Sequence, residues 1–271
     1  MLNFFSSFEP SPILIDFGLL KIHWYGLFMV LAMVAALLMS FRVAKLYNIN
    51  RDIIFDVSFW LIVGGLLGAR VYEIIIMLPF YIANPLQAVR IWEGGLAIHG
   101  GIIAGIIIIY FFAKKNNLSF WKLGATLVPG VALGQAIGRW GNYFNQELFG
   151  LPTNLPWKIP ISVVNRPLQF ISETHFHPTF LYESLGSLII AIFLYSATIM
   201  GIKKKKIGPN FFLWSVCSYV ILYSLLRFSL EFIRLDQTPL VFGWRWPQIA
   251  SLLLIAGSSL LLFYKSNATK S

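Results

Sequence analysis

The chain has 271 residues, of which 58% are hydrophobic and 12% charged, with a formal net charge of +10 and a mean hydropathy of +0.73. A soluble domain of this length has no use for so much apolar surface, so the composition predicts an all-α polytopic membrane protein. The basic excess does not mark a nucleic-acid binder, because the basic residues lie between apolar runs and not on a polar, aromatic-interleaved face.

Met1 to Gly18 carries no basic leader, and Pro10 and Pro12 interrupt its apolar residues. No cleavable signal is expected there, so the first span must do the targeting. A helix crosses the hydrocarbon core in about 20 residues. Apolar runs of that order are His23 to Val43, Ile53 to Leu78, Ala97 to Ala113, Leu118 to Gly138, Thr179 to Gly201, Pro209 to Leu230 and Pro247 to Tyr264, which predicts about seven transmembrane helices. Small-residue spacings at Gly64, Gly65 and Gly68, at Gly100, Gly101 and Gly105, and at Gly130 and Gly134 suit close helix packing. The single cysteine, Cys217, lies inside the sixth run. It excludes an intrachain disulfide and a cysteine-based metal cluster, and reads as a small buried hydrophobe.

Orientation follows from the short loops. Arg42, Lys45 and Arg51 follow span one; Lys114, Lys115 and Lys122 follow span three; Lys203 to Lys206 follow span five; Lys265 and Lys270 follow span seven. Positive residues in such loops favour the cytoplasm, so the N-terminus is expected outside and the C-terminus inside. Apart from Lys21 and Lys158, the basic residues expected toward the outer face are arginines: Arg70, Arg90, Arg139, Arg166, Arg227, Arg234 and Arg245. Guanidinium forks recognise phosphate and carboxylate with bidentate geometry, so an outward-facing site for an anionic group would account for them. Leu78 to Leu96 is expected along the outer interface. Tyr143 to Pro178, rich in proline, forms an extracytoplasmic cap in which Ile159 to Val164 is a weakly signalled strand. The whole is expected to be a single integral-membrane catalytic domain, residues 1–271, with residues 143–178 inserted as the cap between spans four and five.

With that topology the polar residues fall in one leaflet. Arg70 and Glu73 form an i,i+3 pair that reads first as a structural ion pair. Tyr223, Arg227, Glu231 and Arg234 share a helix face if the sixth helix continues that far. Arg139 and Asn142, three residues apart, precede Glu147. Two more arginines than nearby acids would leave positive charge that an anionic ligand neutralises. His99, flanked by Gly100 and Gly101, has the pKa to take or give a proton near neutrality. Tyr25 reads first as an interfacial aromatic. No metal is expected, since His23, His99, His175 and His177 show no helical HxxxH spacing, and no glycine-rich phosphate loop or nucleophile elbow is present.

His99-Gly100-Gly101, the block Gly138-Arg139-Trp140-Gly141-Asn142-Tyr143-Phe144-Asn145-Gln146-Glu147-Leu148-Phe149-Gly150, His177-Pro178-Thr179-x-x-Tyr182-Glu183 and Arg227-Phe228-x-x-Glu231-x-x-Arg234 together resemble the bacterial prolipoprotein diacylglyceryl transferases. The resemblance covers the whole chain, from His23-Trp24-Tyr25-Gly26 onward. It implies a multi-pass enzyme of the bacterial inner membrane that moves the diacylglyceryl group of phosphatidylglycerol to the lipobox cysteine thiol of a prolipoprotein signal peptide, forming a thioether and releasing glycerol 1-phosphate, with no cofactor. It further implies His99, Arg139 and Arg227 as catalytic residues. Tyr25, Asn142, Glu147, Gly150, Tyr223, Glu231 and Arg234 would bind substrate beside Arg139. His99 is the candidate base, with Tyr25, Glu231 or a relayed water as alternatives. A transporter or flippase for anionic lipid, or a purely structural membrane scaffold, remain other readings. The first calls for an inward polar path or broken inverted repeats, which the sequence does not show.

Overall fold

The computed structural model describes residues 6–18 and 21–268. Lys270, expected to follow the last span, lies outside the described residues, as do residues 1–5 of the segment read as carrying no cleavable signal. The elements in order are β1 (Ile13–Asp16), β2 (Lys21–His23), α1 (Trp24–Leu46), α2 (Arg51–Ile76), α3 (Leu78–Ala83), α4 (Ile98–Lys115), α5 (Phe120–Phe144), β3 (Ile159–Pro160), β4 (His175–Phe176), α6 (Thr179–Lys203), α7 (Pro209–Leu230), β5 (Leu240–Val241), β6 (Trp244–Arg245) and α8 (Trp246–Ala268). Among the described residues the strands form three two-stranded antiparallel sheets, so the fold is carried by helices.

Among the described residues six helices, α1, α2, α4, α6, α7 and α8, are long and apolar enough to cross a membrane. They match six of the seven expected runs. The fourth run falls in α5, which is 25 residues long but contains Gln135, Arg139, Asn142 and several glycines. Several of its residues are buried in protein, with Ala132 fully enclosed. A helix surrounded by protein has less need of an apolar surface than one facing lipid. The six apolar helices leave large side chains such as Phe55, Ile189 and Leu253 exposed, as a lipid solvent allows.

Three of these helices end in the same way. Asn48, Asn117 and Lys205 adopt positive φ after α1, α4 and α6. Ile49, Leu118 and Lys206 N–H groups then reach back to the carbonyls of Ala44, Ala113 and Gly201 at 2.9, 2.9 and 2.8 Å. This pattern satisfies carbonyls that the helix leaves open, and Arg42, Lys45, Lys114, Lys115 and Lys203 sit where the helix dipole favours cations.

Contacts group the chain into two compact units, one ending at Ser40 and resuming at Leu127, the other Phe41–Thr126. In the second unit α2 and α4 pack as a hairpin. A Cβ on Gly100 would collide with the Gly68 carbonyl, and one on Gly68 would come within 2.7 Å of the Gly100 carbonyl oxygen. The expected small-residue seam therefore brings two backbones together.

The expected Arg70–Glu73 ion pair is not formed. The Arg70 guanidinium is buried and donates to backbone carbonyls of the segment after α3: Ala88 at 3.0 Å, Gly94 at 2.7 Å, Gly95 at 2.8 Å and also Gln87. Its face lies 5.2 Å from the Tyr81 ring centre. Five donors in a planar fork can gather several carbonyls from an irregular loop where one carboxylate could not. Arg70 thus shapes the Leu78 to Leu96 segment, and Gly95, at φ 70°, leaves room for the guanidinium.

In the first unit, α5, α6 and α7 share a core of Val128, Ala132, Ile190, Ala191 and Leu194, against which Val216 and Leu222 pack. The cap has its own core of Tyr143, Phe149, Ile159, Ile161, Phe176 and Phe180. Its first residues, Tyr143 and Phe144, form the end of α5. The expected strand Ile159 to Val164 shortens to β3, paired with β4, and gives way to a 3-10 turn at Val163–Asn165. The hairpin of β1 and β2 was not foreseen, and His23 belongs to it and not to the first helix.

Candidate active site

The polar residues of the first unit assemble around Glu183, one helical turn into α6 and 1% exposed. Its Oε1 accepts from Arg139 at 2.5 Å and from the Tyr223 hydroxyl at 2.9 Å. Its Oε2 accepts from Arg234 at 3.2 Å. Arg139 also reaches Asn142 Oδ1 at 3.2 Å, and the Asn142 amide donates to Glu147 at 2.7 Å. The helical spacing of Arg139 and Asn142, followed by the turn at Gln146, aligns these three side chains.

A second group continues the network. Arg234 donates to Asp236 at 2.7 Å, and Arg245 faces the same carboxylate at 3.9 Å. Arg245 and Arg227 flank Glu231, a fully enclosed carboxylate, at 2.7 and 2.8 Å. Charge therefore alternates from Arg139 through Glu183, Arg234, Asp236, Arg245 and Glu231 to Arg227. In direct ion pairs four guanidiniums meet three carboxylates, and Glu147, joined to Arg139 through Asn142, adds a fourth, so the surplus of two that the sequence suggested is not found here. Buried charges persist only when paired in this way.

The spacing placed Arg234 on the sixth expected span, but α7, which forms that span, does not carry it. It ends at Leu230, and Glu231 serves as its C-cap. Arg234 lies beyond a turn and pairs with Gly150 in a short antiparallel bridge. A Cβ on Gly150 would lie 2.9 Å from His177 Cβ, the Ile233 carbonyl oxygen and Thr179 Cγ2. Only glycine fits where these backbones meet, so Gly150 aligns Arg234 with Glu183.

A cavity of about 310 Å³ opens between α1 and α5. Met29, Ala32, Met33 and Ala36 form its apolar side, while Tyr25, Gln135, Arg139 and Asn142 supply its polar groups. Gly141 lets the Tyr25 ring lie against α5, since a Cβ there would stand 2.8 Å from Tyr25 Cδ2. Tyr25 thus joins Arg139 and Asn142 at this wall, while Arg227 does not line the cavity. An apolar cleft ending in a guanidinium and amides is the shape of a site for an amphiphile with an anionic head.

His99 belongs to the other unit, where its exposed ring lies 6.0 Å from that of Tyr72. Among the described residues no cluster of three or more metal-ligating side chains occurs. Burial pushes the pKa of His177, in the cap, below the ordinary histidine value. The Tyr182 hydroxyl oxygen accepts the Trp157 N–H at 2.7 Å and shares a hydrogen bond with His177 Nδ1 at 3.1 Å.

Glu183, Asp236 and Arg245 were missed as site residues. Glu183 stood in the motif His177-Pro178-Thr179-x-x-Tyr182-Glu183 and among the ionisable residues at the start of the fifth span, a charge that is costly in a membrane. Burial acts to raise the Asp236 pKa, but the hydrogen bond from Arg234 and the charges of Arg234, Arg227 and Arg245 outweigh it and hold the group below its ordinary value of 3.8. A depressed carboxylate contributes stability that is complete above 3.8 and lost as the pH falls through the lower folded value. Asp236→Asn is therefore expected to unfold at a lower temperature than the parent at pH 7, with the gap closing only below about pH 3.8. Thermal melts in detergent across that range check it, and a gap unchanged at acid pH would refute the ion-pair account.

The family model for prolipoprotein diacylglyceryl transferase matches residues 12–264. The chain is 40% identical to a phosphatidylglycerol–prolipoprotein diacylglyceryl transferase of Nostoc sp., over 92% of this chain and 87% of the relative. Proteins of the same name from Synechococcus elongatus and Synechocystis sp. are 39% and 41% identical, over 92% and 93% of this chain and 85% and 88% of theirs.

Proposed function

Because the chain belongs to the prolipoprotein diacylglyceryl transferase family, we propose that it transfers the diacylglyceryl group of phosphatidylglycerol to the lipobox cysteine thiol of a prolipoprotein, the first step of lipoprotein maturation. It is a multi-pass membrane protein by its six apolar helices. We place it in the bacterial inner membrane as a single catalytic domain, with N-terminus outside, C-terminus in the cytoplasm and the site at the outer leaflet. The lysine-bearing helix ends support that orientation.

The observation that carries the assignment to this site is the cavity between α1 and α5, apolar along α1 and ending at Arg139. Acyl chain fits the first part and phosphate the second. The sulfur attacks the glycerol carbon that bears the phosphate ester. A C–S bond forms, the C–O bond breaks, the electron pair leaves with glycerol 1-phosphate, and the thiol proton passes to a base. Arg139 is the proposed phosphate clamp, held by Glu183, Asn142 and Tyr223. Arg227 is the proposed second cation for the charge of the leaving group, and Glu147 shapes the headgroup site through Asn142. Such fixed charges act most strongly where water is excluded. His99 keeps the proposed role of base on the chemistry of its imidazole. The nucleophile belongs to the substrate, so the enzyme needs no reactive cysteine, and Cys217 is buried.

The test is transfer of label from phosphatidylglycerol to a lipobox peptide, with glycerol phosphate released. A well-folded preparation that binds both substrates but never moves the label would overturn the assignment.

A further inference from the structure

We infer that Gln135 reads the ester-linked glycerol backbone of the lipid, making it a specificity residue that distinguishes diacyl from dialkyl donors. The inference rests on the transferase reading and deepens it.

Gln135 lines the same cavity as Arg139. It stands four residues before Arg139 on α5, on the same face and about 6 Å along the axis toward the middle of the helix. The packing of α1 gives the same order of depth: Gly141 lies against Tyr25, whereas Gly134 lies against the Ala32 carbonyl and the Ala36 side chain. Arg139 is thus at the Tyr25 end and Gln135 at the level where the wall becomes alanine and methionine.

Tyr219 anchors the amide. The Tyr219 hydroxyl donates to Gln135 Oε1 at 3.0 Å, and its ring stacks on Tyr223 with centres 6.1 Å apart. Tyr223 is itself held by Glu183 at 2.9 Å. With Oε1 accepting from Tyr219, Gln135 keeps its N–H donors for a ligand. A polar donor in a largely apolar cleft needs an acceptor, and a bound acyl chain cannot supply one. In a glycerophospholipid the ester carbonyls lie about five bonds from phosphorus, a reach of about 6 Å at ordinary bond lengths. That matches the step from Arg139 to Gln135. With phosphate at Arg139, an ester carbonyl oxygen falls within reach of the Gln135 amide, and the chains continue along Met29, Met33 and Ala36.

The experiment compares transfer from diacyl and dialkyl phosphatidylglycerol of equal chain length, since the ether lipid keeps the headgroup but lacks the carbonyl acceptors. The parent enzyme is expected to favour the ester donor roughly three- to tenfold in kcat/KM, the effect of one neutral hydrogen bond. In Gln135→Leu, similar in size but without donors, the ratio should fall to about one, mainly by loss on the ester lipid. Tyr219→Phe, which frees the amide to turn, should narrow the ratio and carries the test if Gln135→Leu fails to fold. Equal use of both lipids by the parent, or a preference that survives in either variant, overturns the proposal. Absence of transfer from the ester lipid by the parent would instead count against the transferase reading itself.

Discussion

Glu183→Gln is expected to lower diacylglyceryl transfer by about a hundredfold or more and to reduce the thermal unfolding midpoint in detergent. The carboxylate is enclosed and receives Arg139, Arg234 and Tyr223 at 2.5, 3.2 and 2.9 Å. Neutralising it leaves two guanidiniums sharing an amide, and breaking a buried pair from one side costs about 3–5 kcal/mol. Arg234 retains Asp236 at 2.7 Å, so the loss falls chiefly on Arg139. The rate should drop in kcat as well as in lipid KM, because a guanidinium that wanders no longer meets the phosphate in the transition state. Wild-type activity and melting in Glu183→Gln would mean that Arg139 is aligned by something else.

Glu183 also shows why the sequence discloses some parts of this site and conceals others. The spans were legible because a bilayer demands about 20 apolar residues, and α7 begins at Pro209 and ends at Leu230 as its apolar run does. Arg139, Asn142 and Glu147 were legible because they are close in sequence and costly in a membrane. The partner of Arg139, by contrast, lies 44 residues away on another helix. Local spacing rules see only neighbours three or four residues apart.

Arg70 hid its role for a related reason. Its partners are backbone carbonyls 17 to 25 residues downstream, and a carbonyl has no sequence signature. Glu73, the acid that spacing offered, was the wrong partner. Asp236 and Arg245 lay in a connection with no periodic pattern. Beyond Leu230, the register that seemed to align Arg234 with Arg227 was broken by a turn, and only the bridge to Gly150 restored Arg234 to the network.

Arg139→Lys is expected to lose about 10²- to 10³-fold in kcat/KM, the range found when one preorganised donor to a developing charge is removed. A lysine keeps the formal charge, so simple attraction between site and lipid survives. What it lacks is the planar fork. Arg139 spends one arm on Glu183 at 2.5 Å and Tyr223 at 3.4 Å and the other on Asn142 at 3.2 Å, and these fixed bonds hold its plane beside the cavity. Lysine ends in a compact ammonium that would settle on Glu183 and present no second donor in a defined direction. The variant should fold, since the Glu183 charge remains neutralised, and should bind phosphatidylglycerol vesicles nearly as well as the parent. Its defect belongs to the bond-breaking step, where negative charge moves onto the departing phosphate. Single-turnover rates at saturating lipid separate the two contributions. A loss confined to KM would reduce Arg139 to a headgroup anchor, and full activity of Arg139→Lys would remove the case for bidentate recognition.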